Sequence, residues 1–347
     1  MKQIFCLGNS SVKMGDTEIP EILNDQVLIK TAVSALCGSE LHGYRNDGFG
    51  NGNNGHEAAG TIVKVGDEIK HLKEGMRVGV SAVHGCGTCE QCKHGRYTWC
   101  ENGFDYTGNM HSEYFAIPAL ACHVIPDDVP WPVAVLISGD GLGVPFHTST
   151  KIPADTKTVA VFGLGPIGLG NVMLQASLGR TVIGIDLAQD RLNIAKSLGA
   201  AHIINATTDV VEQIKGLTDG KGADVCIEAA GIPITAQQCF PATRTAGTVI
   251  FNGEQPSVEL SPSEDFIRRD ITAMGAWFYH FHEFTDMLKL YRLGFPIESL
   301  VTHIYPPEHA DVAFKMMASG HTGKVLIDYA ATEPLIKTDM HLQAIEA

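Results

Sequence analysis

Hydrophobic and polar positions change rhythm twice along the 347-residue chain. From Met1 to about His147 the apolar runs are short and stop at glycines. Val27 to Val33 (VLIKTAV) is mostly apolar and β-branched, and Thr61 to Val65 (TIVKV) runs into Gly66-Asp67, a turn dipeptide. Arg77 to Val83 reads as a further strand. Short strands broken by frequent glycine turns predict a partly closed β-barrel.

From about Thr148 to Ala276 the rhythm becomes regular β–α alternation. Strands are expected at Thr158–Phe162, Thr181–Asp186, His202–Asn205, Ala223–Glu228, Thr248–Asn252 and Ile271–Ala276. Helices are expected at Ile167–Leu178, Gln189–Leu198, Asp209–Leu217 and Thr235–Thr243, with a less regular link around Ser263–Arg269. Strands joined by crossover helices imply a parallel, doubly wound sheet. After Trp277, Glu283–Leu293 sets Phe284, Met287, Leu288 and Tyr291 at helical spacing, and Glu308–Ser319 does so with Val312, Met316 and Met317. Core packing is the expected use of both stripes. A strand, Lys324–Asp328, follows, and no internal repeat is visible.

Composition narrows the reading. Hydrophobic residues make up 44% and charged residues 18%, which excludes a disordered chain. Lys and Arg number 25 against 39 Asp and Glu, a formal charge of −14 and the opposite of a general nucleic-acid binder. Nine cysteines are too few for a disulfide framework of this length. They fit a reduced protein that uses some thiols for metal or chemistry. The uncharged stretch Thr158–Gly179 is long enough to span a membrane. It holds five glycines, Pro166, Asn171 and Gln175, however, and divides into strand, turn and helix. Met1–Leu7 is too short an apolar run for a signal peptide, so a soluble cytoplasmic protein is expected.

Two motifs carry chemistry by their own spacing. Gly163-Leu-Gly165-Pro166-Ile167-Gly168 is GxGxxG between a predicted strand and a predicted helix. The first glycine permits the tight turn, the second lets pyrophosphate approach the backbone, and the third lets helix and strand close up. Asp186 ends the next strand, where an acid would bind the adenosine ribose; capping of the following helix is its plainer use. Neither Arg180 nor Arg191 stands beside Asp186 as a phosphate clamp, so NAD is expected over NADP. Arg191, Pro166 and Ile167 complete the expected cofactor set. The second motif is Cys86, Cys89, Cys92 and Cys100, four thiolates in one short loop. These suit a closed, structural tetrahedral Zn²⁺. An iron–sulfur cluster, a zinc module for nucleic acid and a set of free thiols are the other readings.

Cys37-Gly38-Ser39-Glu40-Leu41-His42 and the later Gly55-His56-Glu57 say little singly. In this order, with the four-Cys loop and the glycine turn, they make the chain resemble the zinc-dependent alcohol and polyol dehydrogenases of the medium-chain dehydrogenase/reductase superfamily. The resemblance runs to the closing Gly323-Lys324-Val325-Leu326 stretch. It implies an α/β fold: a GroES-like, partly open β-barrel catalytic domain from residues 1–147 and 277–347, and a Rossmann domain from residues 148–276. It implies two zinc ions per chain, one structural and one catalytic. Cys37 and His56 match the first two catalytic ligands, and Asp140 stands where the third belongs, with Glu57 its competitor. In the family this Glu sits behind the metal. Ser39 matches the hydroxyl that hydrogen-bonds the substrate oxygen, and His42 the outer end of a proton relay; a plain surface histidine is the alternative for His42.

The expected activity is hydride transfer between NAD and a secondary alcohol, polyol or sugar-like substrate. Family habit implies a homodimer or homotetramer. A zinc-free quinone or enone reductase and a non-catalytic redox sensor are the competing functions. Three departures bear on the pocket. Glu40 replaces the usual Asp, the loop before Gly55 lacks a common Pro, and Ser138–Val144 is unusually glycine-rich. The tail Thr332–Ala347 has no counterpart in the resemblance.

Overall fold

A computed structural model describes residues 1–337. The chain forms two compact units. One comprises Met1–Gly143, Phe278–Ser319 and Lys324–Lys337; the other comprises Val144–Trp277 and Gly320–Gly323. The divisions expected at 147/148 and 276/277 thus fall at 143/144 and 277/278. The first lies inside the helix Asp140–Ser149, because a change of sequence rhythm marks where strands begin, not where packing changes.

In the first unit the strand Gln26–Ala35 organises the sheet. It pairs antiparallel with Ala58–Val65 along its length, with Tyr114–Pro118 at one end and with Lys324–Asp328 at the other. Its pairing with Ala58–Val65 shifts register at Leu28/Ile29 and Thr31/Val33. Such bulges bend a strand and raise its twist, which lets the sheet curl toward a barrel. Arg77–Val80, Cys122–Val124, Val301–Tyr305 and Leu335–Ile336 extend the sheet.

The expected strand Arg77–Val83 is broken. Ser81 Oγ donates to the Val83 carbonyl at 2.7 Å, and Val83–His84 pairs separately with Asp105–Tyr106. The helix expected from Glu308 begins at Ala310 after a 3-10 turn at Pro307–His309. Its buried face is Ala310, Ala313, Phe314 and Met317, so Val312 is exposed and Met316 only half-buried. In the helix Phe284–Arg292, Phe284 and Met287 are buried while Leu288 and Tyr291 are half-buried.

The second unit is a six-stranded, all-parallel sheet. Its order is His202–Asn205, Thr181–Asp186, Thr158–Phe162, Ala223–Glu228, Thr243–Phe251 and Thr272–Gly275. Strand order reverses between Thr158–Phe162 and Ala223–Glu228, the switch point where such sheets bind ligands. Four strands lie where the pattern places them. The fifth begins earlier, at Thr243, because the chain re-enters the sheet at Ala223↔Thr243 before a register shift. The irregular link contains a π-helical turn, Pro262–Ile267, capped by the Ser261 side chain. No helix among the described residues is long and apolar enough to cross a membrane. The uncharged stretch divides into Thr158–Phe162 and the helix Pro166–Ser177.

Candidate active site and metal centres

Two clusters of ligand-capable atoms occur among the described residues. In each, all candidate atoms lie within 4.8 Å of one another: Cys37, His56, Glu57 and Asp140 in one, and Cys86, Cys89, Cys92 and Cys100 in the other. Both lie in the first unit.

In the first cluster all four residues are buried. Cys37 follows the end of Gln26–Ala35, His56 and Glu57 precede Ala58–Val65, and Asp140 opens the helix Asp140–Ser149. The paired strands therefore bring the first three together. Asp140 Oδ2 lies 3.8 Å from Cys37 Sγ and 3.2 Å from His56 Nε2. His56 Nδ1 is 2.8 Å from the Asn54 carbonyl, to which it must donate; this leaves Nε2, facing Asp140, as the nitrogen that can give a lone pair to a cation on losing its proton. Burial alone would lower the His56 pKa, but Cys37 and Asp140 raise it well above the usual histidine range. The surroundings favour positive charge at this point. Asp140 Oδ1 is also buried, with no hydrogen-bond partner among the described residues. One thiol, one imidazole and one carboxylate oxygen with nothing to bind fit a Zn²⁺ that keeps an open position.

Glu57 is committed elsewhere. The ammonium of Lys324 is ion-paired with Glu57 Oε1, and both side chains are fully buried. Burial alone would lower the Lys324 pKa, yet Glu57 and Cys37 hold it above the usual range. Gly141 N–H donates to Glu57 Oε2 at 3.3 Å. The glycine-rich segment has its reason here. A Cβ on Gly139 would sit 2.9 Å from Glu57 Oε2, and one on Gly143 would sit 2.4 Å from the Tyr279 ring. In the sequence Lys324 stands only as the start of a strand; a lone lysine leading an apolar run is the signal it offers.

Ser39 and His42 are exposed. Ser39 caps the short helix Glu40–Arg45 without a side-chain capping bond, and His42 Nδ1 lies 3.5 Å from Asn46 Nδ2. Glu40 is fully buried and accepts the Cys37 N–H at 2.8 Å. The Tyr106 ring lies 5.8 Å from the His56 ring, a neighbour that no sequence motif singles out.

In the four-Cys loop, Cys86 and Cys92 sulfurs are 4.0 Å apart and Cys89 and Cys100 sulfurs 3.9 Å. Tetrahedral Zn–S bonds of about 2.3 Å would set sulfurs about 3.8 Å apart. That spacing suits one ion better than a cluster of several irons. Backbone N–H groups of Cys86, Cys89 and Cys92 donate to Cys100, Cys86 and Cys89 sulfurs at 3.4–3.5 Å. The Thr88 hydroxyl and amide help lower the Cys86 thiol to about 5. A Cβ on Gly85 would lie 2.3 Å from Cys92 Sγ, so glycine is what lets the loop close.

In the second unit the glycine turn links Thr158–Phe162 to the helix Pro166–Ser177, with Pro166 in its first turn. Gly163 has φ +88°, and a Cβ on Gly168 would lie 1.8 Å from the Gly163 carbonyl oxygen. A Cβ on Gly165 would meet nothing within 4 Å, so the turn is open where a ligand would approach. Ile167 is half-buried. Asp186 accepts the Leu164 N–H at 2.7 Å and the Ala188 N–H at 2.9 Å, so it also braces the turn. Arg191 is half-buried in the helix Gln189–Ser197, and Arg180 is bound to Gln175.

Residues 23–127 match the alcohol dehydrogenase GroES-like domain family, and residues 166–292 match the zinc-binding dehydrogenase family. Sorbitol dehydrogenase of Bacillus subtilis (strain 168) is 34% identical over 279 residues, covering 77% of this chain and 79% of that one. L-threonine 3-dehydrogenase of Symbiobacterium thermophilum is 31% identical over 335 residues, covering 90% and 93%. An alcohol dehydrogenase of Escherichia coli CFT073, solved with NADH, superposes with a TM-score of 0.84 at 25% identity, over 95% of this chain and 99% of that one. The chain belongs to the zinc-dependent alcohol and polyol dehydrogenases of the medium-chain dehydrogenase/reductase superfamily. It is an oxidoreductase of that class, which works on small alcohols with zinc and a nicotinamide cofactor.

Proposed function

We propose that this enzyme transfers a hydride between NAD and a secondary alcohol, polyol or sugar-like substrate, using one catalytic and one structural zinc per chain. The supporting observation is the buried set of Cys37, His56 and Asp140, with Glu57 already neutralised by Lys324. Asp140 is therefore the third ligand in this reading, and Glu57 stands behind. Zinc held by these three would keep a position for the substrate oxygen and lower the pKa of its hydroxyl. Ser39 would accept the substrate's hydroxyl proton while giving up its own toward His42, from which a proton would pass to solvent. Gly163, Gly165 and Gly168 would admit the cofactor pyrophosphate, and Asp186 would accept hydrogen bonds from the ribose hydroxyls and repel a 2′-phosphate. The four-Cys loop would hold the structural ion. A cytoplasmic homodimer or homotetramer completes the reading.

The test is NAD- and NADP-linked turnover on a panel of aliphatic alcohols, diols, polyols and sugars, with metal analysis alongside. NADH production on a polyol or secondary alcohol and about two zinc per chain are expected. Cys37→Ser and His56→Ala should abolish turnover in a folded protein; full activity in either would sink the zinc mechanism. A zinc-free reductase of enones or quinones would instead show one zinc and activity without the Cys37 cluster, whose buried, unpartnered Asp140 oxygen speaks against it.

A further inference from the structure

Beneath the Cys37 cluster lies a polar network that the proposed reaction does not use. His111 precedes the strand Tyr114–Pro118 and is fully buried, as are Glu40 and Ser34. Both nitrogens of its ring are engaged. Nδ1 lies 2.8 Å from Ser34 Oγ, in the strand Gln26–Ala35, and Nε2 lies 2.9 Å from Glu40 Oε2. The other oxygen of Glu40 accepts the Cys37 N–H at 2.8 Å. The ring thus bridges a strand to the carboxylate that fixes the Cys37 backbone.

The same residue grips the segment that carries His56. A Cβ on Gly55 would lie 2.5 Å from His111 Cδ2, so the ring packs directly on the Gly55 backbone. Asn53 Oδ1 accepts both the Gly55 N–H at 3.0 Å and the His111 N–H at 3.2 Å. The Met110 N–H donates to the Gly55 carbonyl at 3.0 Å. On its far side the ring meets Phe314 edge-on at 6.0 Å. The bridge does not depend on the charge of the ring. A neutral ring donates to Glu40 and accepts from the Ser34 hydroxyl; a charged ring donates to both.

We propose that His111 is a positioning residue that sets the separation of Cys37 and His56 by bridging Ser34 to Glu40 while packing on Gly55. The proposal rests on the functional reading above, in which Cys37 and His56 hold a metal. Partners that orient a metal's ligands typically change metal affinity about 10–100-fold, and His111 acts through Glu40 on the Cys37 backbone.

The test exchanges cobalt(II) into the Cys37 cluster of the whole enzyme, with zinc kept in the four-Cys loop. It reads the visible absorption of the thiolate-bound cobalt and the affinity of the site against a competing chelator. His111→Phe keeps a ring and removes both hydrogen bonds. It should shift the absorption bands and weaken metal binding about 10–100-fold, and lower kcat with little change in KM for NAD. His111→Phe with Glu40→Leu removes the orphaned carboxylate as well, and should not restore the bands. Ser34→Ala breaks one arm and Glu40→Leu the other, and these carry the comparison if the phenylalanine variant does not fold; each should shift the bands. Unchanged bands and affinity in these variants would overturn the proposal. So would full restoration in the double variant, which would mean that His111 only neutralises Glu40. A wild-type chain that takes up no metal at this cluster would overturn the functional reading itself, a result distinct from unchanged variants.

Discussion

At the scale of single residues, two side chains do more than their position in the sequence announces. Asp186 stands at the end of its strand, where a ribose is expected, but it also accepts two backbone N–H groups of the turn and the following segment. Asp186→Asn should therefore weaken NAD by about 10–100-fold, the worth of a hydrogen bond to a charged group at about 1.5–3 kcal/mol. Titration of NADH fluorescence would measure it, and an unchanged affinity would leave Asp186 as a brace only. Lys324 is the second. Replacing it by Met would strand the Glu57 carboxylate in the core, at a cost of about 3–5 kcal/mol. Urea unfolding of Lys324→Met against wild type should show that loss, and Lys324→Arg should lose much less. A stability equal to wild type in Lys324→Met would mean that Glu57 is protonated when buried.

At the scale of elements, the loop from Gly85 to Cys100 behaves as one piece that a single methyl group can prevent from closing. Gly85→Ala places a Cβ against Cys92 Sγ. About one zinc per chain should be lost, and limited proteolysis should cut within the loop while the Cys37 cluster keeps its ion. Full metal content in this variant would show that the loop closes by another path. Spacing makes this loop and the glycine turn legible in the sequence alone, because a metal and a tight turn each demand fixed residues at fixed intervals. Four of the parallel strands are legible for a similar reason: each is an apolar run with β-branched residues, ended by glycine or a polar residue. The helix Trp131–Ser138 is not, because Val133–Ser138 are all buried and no polar face gives it a period. The His111 network is equally silent in the sequence, since His111 stands 71 positions from Glu40 and 77 from Ser34 and only the fold brings them together.

At the scale of the whole molecule, the excess of acid decides behaviour in solution and not catalysis. With 39 acidic against 25 basic residues, net charge vanishes near pH 5.5. Solubility should pass through its minimum there and recover on either side, which light scattering across about pH 4.5–7.5 would follow; a flat profile would show that other surface terms dominate. Neither charge nor cysteine number says what the enzyme acts on. The route of the chain does say something about how the molecule is built in time. Glu57 and Lys324 are separated by 267 positions. During synthesis the carboxylate is made early, whereas the ammonium that neutralises it emerges only after the whole parallel sheet has been made. Until Lys324–Asp328 docks beside Gln26–Ala35, Glu57 lacks the ammonium that pairs with it. Long-range closures of this kind are slow. In the proposed reading the catalytic cluster is thus among the last places to be finished, and a chain cut before Lys324 lacks both that ammonium and the strand that carries it.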